Sequence, residues 1–174
     1  MRNISFLCLF IGFTLSLSAQ LVFDTAEEAE KQYEQNIKQT HLEGVYIPAS
    51  IDEAIQEIKK LSTEEDLKKF AEAPIDDVAE RLQAGLGRWM IVNWQFYSGS
   101  RLSHLIKSKG VMTPDGMAQY LIRYLHADLN NISPNEEAII KKVNANHEAE
   151  MKKSRKNDKL IKKEIRKIKD PDQD

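Results

Sequence analysis

The chain has 174 residues, of which 30% are charged and 41% hydrophobic, so it is long enough for one compact domain and hardly for two. The single cysteine excludes a disulfide framework, and the small numbers of Gly and Pro exclude collagen-like and low-complexity classes. The formal net charge of −2 argues against a protein that coats nucleic acid, so no nucleic acid partner is expected.

Residues 1–19 show the three parts of a secretory signal peptide. A short basic start is followed by an apolar run over residues 4–17, and small residues close the segment. The run is shorter than the roughly 20 residues that a membrane-spanning helix needs. We therefore expect cleavage after Ala19, or alternatively after Ser18, and a mature protein that is periplasmic or secreted, with no transmembrane span.

Cys8 lies inside this apolar run and is preceded by Leu7. A lipoprotein signal requires a small residue before the cysteine, at the end of the run, so lipid attachment is not expected. Removal of residues 1–19 would leave the mature chain without a cysteine, and therefore without thiol chemistry or a disulfide.

Residues 20–45 are predicted to hold an N-terminal helix and a linker. Apolar residues are sparse from Asp24 to Thr40, which indicates a weakly amphipathic, exposed and loosely attached helix. Val45 to Ile47 is the one strand-like stretch, and it is too short to define a sheet.

Residues 46–140 carry helix signals in series and are predicted to form an all-α domain of about five helices. Capping or start signals occur at Ser50, at Ser62-Thr63, at Ile75 after a break at Pro74, and at Ser100, Thr113 and Ser133.

The segment from Gly85 to Leu105 holds both tryptophans, and because its apolar density is high through Val92, the part before Ser98 is predicted to be the central helix, buried on most sides. Ser98-Gly99-Ser100 is predicted to make a turn, and Ser100 to cap a further helix over Arg101–Ser108. The Gly85-Leu86-Gly87 start of the segment is predicted to allow close helix packing or a kink.

Residues 141–174 are predicted to form a lysine-rich helix or a partly ordered tail. This segment contains 12 Lys and Arg against 7 Asp and Glu, whereas the mature chain before it has a net charge of −8. Its apolar stripe is broken, and a structural break is expected around Ser154–Asp158. The tail could contact another envelope protein or an anionic envelope component, although the interleaved acids favour a merely solvated helical face.

Four residues in and after the tryptophan-rich segment are candidates for ligand binding: Asn93, Trp94, Arg101 and His104. Arg offers a bidentate fork for a carboxylate or phosphate and Trp a face for a sugar ring, so a pocket here would suit a small hydrolase or an anion- or glycan-binding domain. The competing interpretation, which we favour, places Trp89 and Trp94 in the core. In this interpretation, Asn93 hydrogen-bonds to the backbone and Arg101 pairs with an acid such as Asp115.

The sequence shows no catalytic motif, no phosphate-binding loop and no spacing typical of zinc ligands. We therefore expect no catalytic residues, no metal site and no cofactor, while the question of enzymatic activity stays open. The function expected from the residues is that of an exported, non-enzymatic binding or interaction module.

Over roughly residues 46–130, the chain resembles a family of small bacterial domains designated domain of unknown function 6794. The residues that carry the resemblance are Pro48, Ile51-Asp52-Glu53-Ala54, Gly87-x-Trp89, Asn93-Trp94, Gly99-Ser100-Arg101-Leu102, Pro114-Asp115 and Met117. No one of these motifs is specific by itself, but their order and spacing are distinctive. The resemblance supports a compact domain and implies no reaction, ligand or partner.

Overall fold

The computed structural model describes residues 25–169, and the predicted signal peptide lies outside them. The described chain is predominantly helical, which confirms the predicted all-α class. Its helices are α1 (Ala26–Asn36), α2 (Ile51–Lys60), α3 (Glu64–Glu72), α4 (Ile75–Leu82), α5 (Arg88–Asn93), α6 (Arg101–Ser108), α7 (Pro114–Leu129) and α8 (Glu136–Lys169). Within residues 25–169, none of these helices combines the length and hydrophobicity required to cross a membrane.

A π-helical segment, Gln83–Gly87, joins α4 directly to α5. The three pieces form one irregular helical rod, so five rods lie between α1 and α8, in agreement with the prediction of about five helices. Gly87 is buried, and a Cβ atom there would lie 2.8 Å from Oε1 of Gln83. The predicted kink at the glycine pair therefore takes the form of a local change in helix type.

α7 is the central helix of the fold. It contacts α2, α3, α4, α5, α6, α8 and the π-helical segment. Its side chains fill the core with Met117, Ala118, Tyr120, Leu121, Ile122 and Leu125. The prediction that the helix after Gly85 is the central one is wrong, because α5 ends at Asn93 and Val92 and Tyr97 are exposed. The predicted helix Arg101–Ser108 coincides with α6.

A short antiparallel hairpin precedes α2. β1 (His41–Leu42) pairs with β2 (Val45–Tyr46), and Glu43 and Gly44 adopt positive φ angles of 50° and 80° in the turn. Two consecutive residues with positive φ are the signature of a type I′ hairpin turn. The second strand lies within the predicted strand-like stretch Val45 to Ile47, whereas the first strand was not predicted, because His41 and Leu42 alone carry no alternating pattern.

The predicted helix starts are largely confirmed by side-chain caps. Ser50, Thr63, Ser100 and Thr113 each accept a hydrogen bond from the backbone N–H three residues later. The last start is displaced from its predicted position, because the side chain that caps α8 belongs to Asn135 and not to Ser133. Its Oδ1 accepts from the Ala138 N–H at 3.0 Å.

α8 continues as an unbroken helix through Ser154–Asp158, so the predicted break there is wrong. The helix contains 34 residues, which corresponds to a length of about 50 Å. Its first turns pack on the domain through Ile139, Ile140 and the buried Val143. Beyond these turns, every side chain from Glu148 to Lys162 is exposed.

Candidate functional site

The four predicted site residues occupy two different environments. Trp94 is 1% exposed and packs edge-to-face on the partly buried Trp89, with ring centroids 5.5 Å apart. The Asn93 side-chain amide donates to the Trp89 carbonyl at 2.9 Å, which occupies it in backbone capping. These contacts agree with the interpretation that we favoured for Asn93 and Trp94, and ligand binding by the set stays a prediction.

Arg101 holds the hairpin against α6. Its guanidinium donates to the Ile47 carbonyl through both Nε and Nη2 and lies 5.2 Å from the centroid of the Tyr46 ring. The expected pairing of Arg101 with Asp115 is wrong, because the Asp115 carboxylate accepts from Gln83 at 2.9 Å. Arg101 therefore has a structural role in fixing the chain before α2.

Glu53 and Tyr46 complete this junction. The Glu53 carboxylate accepts from the Tyr46 hydroxyl and from the Ala49 N–H, and these two bonds lower its pKa. The bond to Glu53 in turn raises the pKa of Tyr46. Glu53 thus reaches past Ser50, the residue that a reciprocal capping box would use, and ties the hairpin to α2.

His104 anchors α1 on the outer side of α6. Its Nδ1 lies 3.0 Å from the Tyr33 hydroxyl, and the Lys107 ammonium lies 4.8 Å from the centroid of the same tyrosine ring. Asn36, which is buried, donates to the Ser98 carbonyl at 3.3 Å. These contacts join α1 to the domain, while most of its surface is exposed, as the sequence predicts.

A polar cleft of about 450 Å³ opens between α4, α7 and α8, and none of its lining residues was predicted to form a site. Its lining includes Asp76, Glu80, Asp115, Arg123 and Lys142. Carboxylates and cations face one another here, so much of the charge in the cleft is already paired. Residues 25–169 contain no group of three or more His, Cys, Asp or Glu side chains arranged to hold a metal ion.

Arg123 is the most buried charged group of the cleft, with its side chain 9% exposed. One Nη atom lies 2.8 Å from Oδ1 of Asp76, and the Lys142 ammonium lies 3.1 Å from the other carboxylate oxygen. The bond from Arg123, followed by the one from Lys142, lowers the pKa of Asp76. The cleft is therefore built around an ion-pair network that joins α4, α7 and α8.

The exposed part of α8 separates its charges by side. At 3.6 residues per turn, all six cations between residues 150 and 162 fall within one half of the helix circumference, which we call the basic half: Lys152, Lys153, Arg155, Lys156, Lys159 and Lys162. The acids Glu150 and Asp158 fall on the other half. The acids and lysines that alternate along the sequence are thus segregated in space, because α8 is continuous.

The periodicity that reveals the basic half is present in the sequence. The predicted break at Ser154–Asp158 concealed it, since a break resets the rotation of residues about the helix axis. The cleft had no comparable signal, because its side chains come from three helices that are distant in sequence.

Comparison with known proteins adds one finding to this geometry. Residues 47–129 match a family model. It is described as Domain of unknown function (DUF6794), and the match confirms the predicted resemblance. The DUF6794 segment, residues 47–129, contains α2 to α7. α1, the hairpin and α8 lie outside these residues and contact them. No curated protein and no solved structure matches the chain.

Proposed function

We propose that this protein is an exported, non-enzymatic binding module in which α8 binds a linear polyanion of the cell envelope. The observation that supports the proposal is the basic half of α8, six exposed cations on one side of a continuous helix with no acid among them. Clustered cations raise the local concentration of anionic partners and release counterions when they bind a charged polymer.

The position of the basic half favours an external partner over the protein's own acids. α8 packs on the domain through its first turns and leaves the cations exposed beyond them. The acidic body and the basic helix therefore present opposite charges on different parts of the molecule. At the cleft, α8 forms an ion pair with Asp76 of the body through Lys142. Lys142 is not one of the six cations of the basic half.

The width of the basic half favours a polymer over a flat bilayer. Its cations spread over about half of the helix circumference. A planar surface contacts a narrower strip along a helix, whereas a flexible chain of phosphates or carboxylates can follow the whole half. A polyanion that runs along the helix would also place one anion after another close to a cation, because the cations follow at short intervals from Lys152 to Lys162.

Export enters the proposal through residues 1–19 and is testable separately. We expect the chain expressed with its own N-terminus to be recovered outside the cytoplasm, beginning at Gln20 or, with the alternative cleavage, at Ala19. Determination of the N-terminal sequence measures this directly. A cytoplasmic product that retains Met1 would contradict export and leave the binding proposal to be judged by the next experiment.

The binding experiment uses inorganic polyphosphate as the probe and three substitutions in the basic half. The variant carrying Lys152→Gln, Lys156→Gln and Lys159→Gln loses three charges and keeps good helix formers. At about 1 kcal/mol for each lysine near an anionic surface, we expect its affinity to fall at least 10-fold at low salt. Isothermal titration calorimetry measures the dissociation constants.

The matched control removes three charges from the body: Lys31→Gln, Lys38→Gln and Lys68→Gln. These lysines are exposed in the structure. We expect the control to bind polyphosphate as the wild type does. Equal losses in the two triple variants would overturn the assignment to α8, and tight binding to phosphatidylglycerol vesicles without binding to polyphosphate would overturn the choice of a polymer.

A further inference from the structure

We propose that the polar cleft between α4, α7 and α8 binds a basic amino acid, a small molecule with one carboxylate and two ammonium groups. The cleft has a volume of about 450 Å³, which lies within the range of small-ligand sites. Its charges are unevenly distributed, and one buried hydrogen-bond donor in its lining has no acceptor.

The cleft has two ends, which are defined by contacts between α4 and α7. At one end, Nη2 of Arg123 lies 2.8 Å from Oδ1 of Asp76. At the other end, the Gln83 amide donates to the Asp115 carboxylate at 2.9 Å. Arg123 and Asp115 are about two turns apart on α7, which corresponds to about 12 Å along the helix axis. A ligand that contacts both ends is therefore elongated.

The end at Asp76 has two cations for one carboxylate. The Lys142 ammonium lies 3.1 Å from Oδ2 of Asp76, whereas Arg123 contacts the other oxygen. Asp76 therefore keeps a cationic partner when Arg123 turns to another anion. The excess of positive charge at this end favours a ligand carboxylate, for which arginine offers two parallel donors.

Arg123 has a donor that the protein itself does not use. The residue is 8% exposed, and its Nε is buried without a hydrogen-bond partner among the residues that the structure describes. A buried donor without an acceptor costs free energy, and native proteins contain few of them. Nε and Nη2 form the edge of the guanidinium that binds a carboxylate through two bonds. A ligand carboxylate would give Nε its acceptor while Asp76 stays paired with Lys142.

The rest of the cleft is acidic. Glu80, Asp115 and Glu150 line it, and none of them forms an ion pair with a side chain that the structure describes. Carboxylates without a cation favour ammonium groups on the ligand. Glu80 lies one turn from Asp76 on α4, so a ligand bound by its carboxylate to Arg123 would bring its α-ammonium group towards Glu80. Its side-chain ammonium would extend towards Asp115 and Glu150.

L-Lysine and two of its analogues test both ends of the cleft. Norleucine has the same carbon chain without the side-chain ammonium, and cadaverine keeps both ammonium groups without the carboxylate. We expect lysine to bind about 10-fold more tightly than either analogue, as measured by isothermal titration calorimetry near neutral pH. Equal affinities of lysine and cadaverine would overturn the role of Arg123, and equal affinities of lysine and norleucine would overturn the role of the acids.

Two double variants give a matched test of the acids. Glu80→Gln with Glu150→Gln removes two exposed carboxylates from the lining. Asp77→Asn with Glu148→Gln removes two exposed carboxylates from the same helices, outside the lining. We expect the first variant to bind lysine about 10-fold more weakly and the second to bind it as the wild type does. Equal losses would show a general attraction to the acidic body and would overturn the site.

The carboxylate end has a direct spectroscopic readout. In protein labelled with a nitrogen isotope at arginine, the nuclear magnetic resonance signal of the Arg123 Nε–H should shift on titration with L-lysine and stay in place with cadaverine. The variant Arg123→Lys identifies this signal by removing it. An unmoved Nε–H signal during lysine binding, or the absence of any response to lysine, would overturn the proposal. Because no polyanion is present, these outcomes are independent of the proposed function.

Discussion

At the scale of single residues, the most consequential buried charge is that of Arg123. Asp76 is its partner, and the same carboxylate also contacts Lys142. Removal of one member of a buried pair leaves the other uncompensated, which costs more than the intact pair contributes. Because Asp76 itself is largely exposed, solvent screening reduces that cost.

We therefore expect Asp76→Asn to lower the free energy of unfolding by about 1–2 kcal/mol near neutral pH. Arg123, and then Lys142, lower the pKa of Asp76 below its ordinary value. The unfolded chain then binds the proton more readily, so this contribution is present above the ordinary aspartate pKa and is lost as the pH falls through the folded value.

Urea unfolding of both proteins from about pH 7 to pH 3 measures the effect, and the difference between them should shrink towards the acid end. Asp77→Asn is the matched control, because Asp77 is the exposed neighbour on the same helix. A pH-independent difference, or an equal loss in the control, would contradict the role of the ion pair.

Gly99 is a second residue at which sequence and structure are tightly linked. Its φ angle is +87°, and a Cβ atom there would overlap the Tyr33 ring. A side chain at this position therefore disturbs both the turn before α6 and the seat of α1.

We expect Gly99→Ala to destabilise the protein by about 2 kcal/mol or more, as measured by the midpoint of urea unfolding. In a protein that already carries Tyr33→Ala, Gly99→Ala should destabilise less than it does in the wild type, because the overlap with the ring disappears while the backbone cost remains. Gly85→Ala is the control, since a Cβ atom at Gly85 meets nothing within 4 Å. Full additivity of Gly99→Ala and Tyr33→Ala would show that they do not contact each other.

At the scale of elements, helix starts were the features most readily predicted from sequence. Ser50, Thr63, Ser100 and Thr113 cap helices as expected, because a cap depends on a side chain and a backbone N–H three residues away. Ser100 and Ser103 exchange hydrogen bonds reciprocally, which makes a full capping box at the start of α6. The site at Ser100 is buried, whereas the Thr63 cap is exposed.

Loss of the cap should therefore cost more at α6 than at α3. We expect Ser100→Ala to lower the free energy of unfolding by about 1–2 kcal/mol and Thr63→Ala by about 0.5–1 kcal/mol. Chemical denaturation followed by far-ultraviolet circular dichroism compares the two variants. A larger loss for Thr63→Ala would contradict the assignment of Ser100 as a buried cap.

Elements that depend on distant contacts were predicted less well. The burial of α7 follows from its contacts with most of the other helices, whereas the apolar density through Val92 pointed to the preceding segment. The first strand of the hairpin has only two residues, and the polar cleft is lined by residues that are far apart in the sequence, so neither feature has a local sequence pattern. The run Ser154–Asp158 looked like a break because it lacks apolar residues and three of its members (Ser154, Asn157 and Asp158) are weak helix formers, yet its Arg and Lys residues and the flanking Lys and Leu residues favour helix.

At the scale of the whole molecule, the chain separates an acidic helical body from a basic helix. The DUF6794 segment accounts for α2 to α7, and α8 adds the exposed basic half outside the matched residues. The composition of the two parts of the chain predicted this division of charge. The separation of charges around α8 could be predicted only if the helix was known to be continuous. This separation is the basis of the proposed function.

The salt dependence of polyphosphate binding tests the central proposal most directly. The logarithm of the affinity should fall linearly with the logarithm of the sodium chloride concentration, because each contacted phosphate releases condensed counterions. Replacing Lys152, Lys156 and Lys159 with Gln should make the slope shallower by about 2, at roughly 0.7 per lost contact. The control with Lys31, Lys38 and Lys68 replaced by Gln should keep the wild-type slope. The same slope in all three proteins would contradict binding through the basic half of α8.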